Sequence, residues 1–146
     1  MKKSFVLVAA LLAAGVVQAS GTLDKIKSSG TITLGVRESS GALGFTLGDG
    51  KYVGFHTEMA ERISGDLRKK LGLSSLTVKF QPVTSQNRIP LIENGTVDLE
   101  CGSTTNNAAR QKQVSFAVTT YVEEVRIAVK ANSGITSISQ LNGKKV

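Results

Sequence analysis

Between residues 31 and 101 the hydrophobic pattern switches repeatedly between a period of two and a period near four, and few architectures accept such a pattern. "TITLGVR" places Ile32, Leu34 and Val36 on one side of an extended segment that ends at Arg37. From Thr57 to Leu71 the apolar residues Met59, Ile63, Leu67 and Leu71 recur every fourth position, and Gly72 follows where a left-handed cap is wanted, which predicts a helix. "LTVKF", with Leu76, Val78 and Phe80 on one face, and "TVDLEC" read as further strands. Between them "NRIPLIEN" predicts a short helix with Pro90 in its first turn and Gly95 beyond its end. Strand and helix in alternation build a parallel α/β sheet. The punctuation agrees: "TLDKIKSSG" predicts a first helix capped by Ser20 or Thr22 and stopped by Gly30, and Asp49-Gly50 between short apolar stretches predicts a tight hairpin.

After Phe116 the pattern changes. "YVEEVRIAVKA" predicts a longer extended run, and "SISQLNGKKV" a helical turn capped by Gly143 with a new strand beginning. Residues 20–118 therefore read as one α/β unit and 119–146 as the opening of a second, with no internal repeat or low-complexity segment. Residues 1–19 stand apart from both. Lys2 and Lys3 precede an apolar run from Phe5 to Val17, and small residues occupy positions 17 and 19, the pattern of a secretory signal peptide cleaved after Ala19. The 13-residue apolar run is short of the roughly 20 residues a spanning helix needs. Ser20 is not the cysteine a lipid anchor would use, so the mature chain is expected to be exported and soluble.

Composition excludes several function classes. Without the leader, 16 Lys and Arg face 11 Asp and Glu, and the only basic cluster, Arg68-Lys69-Lys70, has no interleaved aromatics, so nucleic acid is not an expected partner. That cluster reads as the solvated end of a helix. One histidine, His56, and one cysteine, Cys101, make neither a metal site nor an internal disulfide, and no cofactor is expected. Cys101 reads as a buried small residue or one whose partner lies elsewhere. No phosphate-cradling loop occurs, and the glycines of "GDGKYVG" are wrongly spaced for a dinucleotide fingerprint. Asp98 and Glu100 lie two apart on a strand whose Val97, Leu99 and Cys101 read as inward, so both carboxylates are expected to point outward or cap a turn rather than to do acid-base work.

Ligands of open α/β sheets sit beyond the carboxyl ends of the strands. Three polar loops fall there: Arg37 after the first strand, Ser85 and Arg88 in "TSQNR", and Ser103, Thr105 and Arg110 in "CGSTTNNAAR". Thr105 or Asn106 is expected to cap a helix whose first amides attract an anion, with Arg110 about one turn in and able to add a bidentate fork to a carboxylate. The same residues also admit a plain reading, with Thr105 and Asn106 capping a surface helix, Arg110 solvated, Arg37 an edge residue and Arg88 paired with Glu93. Three arginines at three strand ends favour the ligand reading.

"GTLDKIKSSGTITLGVRESS", "TSQNRIPLIENGTVDLECGSTTNNAARQKQVSF" and "LNGKKV" resemble the periplasmic glutamate/aspartate-binding proteins of bacterial ABC importers, within the family 3 extracellular solute-binding proteins. The resemblance implies an α/β, periplasmic-binding-protein-like (type II) fold, with lobe one in residues 20–118 and a hinge strand and the start of lobe two in 119–146. It implies a periplasmic receptor that closes two lobes on L-glutamate or L-aspartate, works as a monomer when full length and serves an ABC permease in the inner membrane. It assigns Arg110 and the Thr105 amide to the α-carboxylate, Ser103 and Thr105 to the α-ammonium, and Arg37, Ser85 and Arg88 to the side-chain carboxylate. The chain departs from the general family pattern at His56, where an acid is usual, and at Ser64, where a small apolar residue is usual, and most of the second lobe lies outside this sequence. The same fold also carries enzymes, dehydratases of the cyclohexadienyl type, and sensory modules on cell-wall lyases. An enzyme would need a proton-transfer carboxylate in the crevice, whereas a dicarboxylic ligand accounts for both Arg37 and Arg88.

Overall fold

The computed structural model describes residues 21–124 and 126–144. The leader expected at residues 1–19 lies outside them. The chain divides between Val114 and Ser115 into two units.

The first unit holds the regular structure. Helix α1 (Thr22–Ser29) leads into strand β1 (Thr31–Val36), with Gly30 turning the chain at φ 61°. Gly21, rather than Ser20 or Thr22, occupies the cap position. The hairpin β2 (Phe45–Gly48) and β3 (Lys51–Val53) follows, and both residues of its turn, Asp49 and Gly50, have positive φ, as a tight hairpin turn requires. Helix α2 (Phe55–Lys70), strand β4 (Thr77–Pro82), helix α3 (Arg88–Glu93) and the two-residue strand β5 (Leu99–Glu100) complete it. The sheet order is β4-β1-β5, and all its pairings are parallel, with Thr31 opposite Thr77 and Leu34 opposite Leu99. A central strand in such a sheet is covered on both faces, which explains the burial of Ile32, Leu34, Gly35 and Val36. Ile26 of α1 and Ala60 of α2 close the core over it, with Leu67, Leu71, Val78 and Phe80 packed around.

Helix α2 begins two residues before the sequence reading, and its most buried residues are small ones beside the apolar stripe, whose Leu67 and Leu71 do pack against the core. Thr57, Ala60 and Ser64 face inward, while Ile63 of the period-four stripe remains 37% exposed. Small side chains let the helix lie close to the sheet, and Ser64 satisfies its buried hydroxyl by donating to the Ala60 carbonyl at 2.8 Å. At its end, Leu73 N–H bonds Arg68 and Gly72 N–H bonds Lys69, a Schellman closure built on Gly72 at φ 68°.

Gly54, at φ 119°, marks the closest backbone approach. A Cβ there would stand 2.9 Å from Gly44 Cα and N and from the Leu43 carbonyl carbon. Gly54→Ala is expected to cost about 2–4 kcal/mol from backbone strain plus overpacking. Gly48→Ala, where φ is also positive but no atom lies within 4 Å, should cost only the strain, about 1 kcal/mol. Urea unfolding of both variants compares them, and equal losses would remove the packing argument.

In the second unit the described residues form no strand. The expected extended run of 121–131 is irregular chain, with Val118 and Val122 86% exposed and Tyr121, Ile127 and Val129 also exposed. Val125 lies outside the described residues. No neighbouring strand within the unit satisfies its backbone, so extended propensity alone does not make a ladder. The expected helical turn is a single 3-10 turn, Ile138–Leu141, capped by Ser137 and Gln140.

Candidate ligand site

Each of the three sequence-predicted loops is held by specific hydrogen bonds. After β1, Arg37 donates through Nε to Ser40 Oγ (3.2 Å) and through NH1 to the Val83 carbonyl (2.7 Å), tying the first loop to the one after β4. In that second loop Thr84 and Asn87 bond reciprocally: Asn87 Oδ1 accepts from Thr84 N–H (2.7 Å) and Thr84 Oγ1 accepts from Asn87 N–H (3.2 Å). This turn delivers Arg88 to the start of α3 with its side chain pointing inward, 3% exposed.

Arg88 is the most constrained of the three arginines. Its Nε donates to the Thr84 carbonyl (3.1 Å), NH2 to Ser85 Oγ (3.2 Å), and NH1 to both Thr104 Oγ1 (2.5 Å) and Glu100 Oε1 (3.4 Å). A guanidinium has five N–H groups, so one remains unengaged by protein. Arg37 engages two in this way and Arg110 only one, from NH1 to the Thr105 carbonyl (3.0 Å).

The third loop differs from the sequence reading. Thr105 and Asn106 cap no α-helix; they are exposed, and the next regular turn after them is the 3-10 turn Arg110–Lys112. Ala109 is the cap residue of that turn, and the Asn107 side chain accepts from Arg110 N–H at 3.0 Å. One such turn aligns too few peptide dipoles to act as a helix terminus. Any anion binding here falls to individual amides and side chains, and among the described residues the N–H groups of Ser103 to Asn106 donate to no protein acceptor.

The plain alternative for Arg88 fails and one expectation is corrected. Arg88 pairs with Glu100, not with Glu93. Asp98 and Glu100 do not point outward: Asp98 accepts from Thr33 N–H and from Lys25 Nζ, both at 2.8 Å, and the Glu100 side chain is 9% exposed. Both faces of a parallel sheet are covered, so strand alternation here separates two interiors rather than interior from solvent. Space for Glu100 comes from glycines. A Cβ at Gly35 would lie 3.2 Å from Glu100 Cγ, and one at Gly102 would lie 2.1 Å from Glu100 Oε1.

Sequence reasoning missed Glu100 and Thr104 as members of the cluster. Thr104 Oγ1 accepts from Arg88 and donates to Glu100 Oε2 at 2.8 Å, so the hydroxyl relays between the two charges. A usable signal was the pair of glycines flanking an acidic strand residue. Burial holds the Arg88 guanidinium below its ordinary value, Glu100 pulls it back up, and the positive charges of Arg37 and Arg110 lower it further. Hydrogen bonds from Arg37 to the Val83 carbonyl and from Arg88 to Thr104 Oγ1 join the three loops at this point, where Arg88 feels the charges of the other two guanidiniums. Burial, partly opposed by Glu100, lowers the pKa of His56, while burial and then Glu100 push the Cys101 thiol up to about 11. Cys101 therefore stays protonated and is a poor nucleophile. Among the described residues no group of three or more His, Cys, Asp or Glu gathers as a metal site, and no helix is long and apolar enough to cross a membrane.

Residues 32–142 match the family model of the bacterial extracellular solute-binding proteins, family 3. The chain is similar to the L-glutamate/L-aspartate-binding protein of Pseudomonas aeruginosa, 46% identical over 98% of this chain and 48% of that protein. It spans about half the length of the curated relatives it matches. Among solved structures it resembles the solute receptor for L-cysteine of Neisseria gonorrhoeae, with TM-score 0.58 and 30% identity over 67% of this chain and 38% of that one. It also resembles a point mutant of the arginine-bound form of domain 1 from TmArgBP, with TM-score 0.56 and 25% identity over 68% of this chain and 71% of that one. The α/β fold class read from the sequence agrees with these neighbours, and the relatives are named as binding proteins rather than enzymes. From the matched span and the identity together, the chain belongs to the bacterial extracellular solute-binding proteins, family 3.

Proposed function

We propose that this chain is the ligand-gripping lobe of a periplasmic receptor that captures L-glutamate or L-aspartate and hands it to an ABC permease. The observation that carries the reading is the convergence of Arg37, Arg88 and Arg110 from three strand-end loops. A dicarboxylic amino acid presents two anionic ends and one ammonium group, and three guanidiniums with flanking hydroxyls complement that pattern. Similarity to proteins named for glutamate and aspartate supports it. Arg110, least engaged by protein, takes the α-carboxylate with the Thr105 amide. Ser103 and Thr105 receive the α-ammonium, and Arg37, Ser85 and Arg88 the side-chain carboxylate. Residues 20–118 form lobe one and 119–146 carry the hinge strand and the start of lobe two. Export with cleavage after Ala19 delivers a monomer to the periplasm.

The assignment is tested by calorimetric titration of the full-length protein. Arg110→Ala should weaken every amino-acid ligand by roughly ten-fold to a hundred-fold, the worth of a hydrogen bond to a charged group. Arg88→Ala should weaken acidic ligands selectively. If Arg110→Ala lost glutamate alone and left glutamine unchanged, the two roles would have to be exchanged.

A further inference from the structure

We infer that Glu100 is the internal counter-ion of the crevice: it offsets the charge of Arg88 and so limits how tightly an acidic ligand is held. This rests on the acidic-ligand reading of the site above. The single Arg88 to Glu100 hydrogen bond, at 3.4 Å, is long for a charge-assisted one, so the pair is held by weak attraction rather than by a bidentate fork. The Thr104 hydroxyl fills the remaining geometry, accepting from Arg88 and donating to Glu100. Gly35 and Gly102 leave the carboxylate its space, since a side chain at either position would crowd it. The backbone is thus shaped around a buried acid at the base of an arginine cluster.

Opposite charge strengthens the grip of Arg88 on its own scaffold and weakens its pull on anything else. A ligand carboxylate approaching Arg88 meets a guanidinium already partly neutralised, with a second carboxylate behind it. In a site shielded from water that repulsion is felt across several ångströms. For a receptor that must release its cargo, moderated affinity and a faster off-rate are useful properties.

Glu100→Gln isolates the charge. The amide keeps the volume, its oxygen still accepts from Arg88, and its NH2 donates to a lone pair of Thr104 Oγ1. In the full-length protein at low salt the variant should bind glutamate at least about five-fold more tightly than wild type, with glutamine affinity within about two-fold. Weaker glutamate binding, or parallel loss for both ligands, would show that Glu100 merely braces the loop and would overturn the inference. If wild type binds neither amino acid, the acidic-ligand reading has failed, and the counter-ion role is read with succinate against sodium chloride at matched ionic strength. Succinate should then raise the melting temperature of Glu100→Gln more than that of wild type, and equal shifts would count against the role. If Glu100→Gln does not fold, the double variant Arg88→Met with Glu100→Leu, which leaves no charge unpaired, should fold. Failure of that rescue would equally overturn the inference.

Discussion

Glutamate is expected to bind the full-length protein about a hundred to ten thousand times more tightly than glutamine. Arg37 and Arg88 are assigned to the variable end of the ligand, and a hydrogen bond to a charged group is worth roughly 1.5–3 kcal/mol. Glutamine replaces an acceptor-only carboxylate with an amide whose NH2 faces guanidinium donors, so both arginines lose a charged partner and one faces a donor. The two contributions should be unequal. Arg37 keeps three N–H groups unengaged by protein, whereas Arg88 keeps one. Arg37→Ala should therefore flatten the glutamate to glutamine ratio more than Arg88→Ala does. Paired calorimetric titrations read both ratios; equal affinity of wild type for the two ligands would refute the assignment of this end of the crevice.

What the sequence disclosed and what it concealed divide along a physical line. Period-two and period-four patterns report which faces are buried, so β1, β4, α2 and α3 were legible from Ile32, Leu34, Val78 and Leu67. Hydrophobicity says less about how closely two layers approach. The inward face of α2 is Thr57, Ala60 and Ser64, small residues that an apolar count ranks below Met59 and Ile63. Capping was ambiguous for another reason: Thr105, Asn106 and Asn107 are successive residues of similar chemistry, and the side chain that bonds the Arg110 N–H is that of Asn107. Glu100 was misread because alternation distinguishes core from solvent only when one sheet face is wet. Its partner Arg88 lies 12 residues away, beyond the reach of any local spacing rule, yet the three strand ends at Arg37, Arg88 and Arg110 were visible because α/β topology places such loops at one edge.

Expressed alone, residues 21–146 are expected to bind glutamate only in the millimolar range, about −4 kcal/mol, against micromolar or tighter binding by the full-length protein. Two effects set this expectation. Guanidinium pairs lose most of their strength when solvent screens them, and although Arg88 is buried, Arg37 and Arg110 are only partly covered by this lobe. Arg110 engages a single N–H with protein and depends most on exclusion of solvent by a second wall. The second effect is association, because Val118, Tyr121, Val122, Ile127 and Val129 are exposed along a segment with no strand partner, and such chain pairs readily with copies of itself. Binding should nevertheless not vanish. Arg37, Arg88 and Arg110 each keep N–H groups unengaged by protein. Calorimetry with glutamate and light scattering on residues 21–146, with residues 21–114 in parallel, separate the two effects. The shorter segment should scatter as a monomer while keeping the same weak affinity, since Arg37, Arg88 and Arg110 all lie within it. Micromolar glutamate binding by either segment would mean that lobe one already excludes water from its arginines, and the role given to closure would fall.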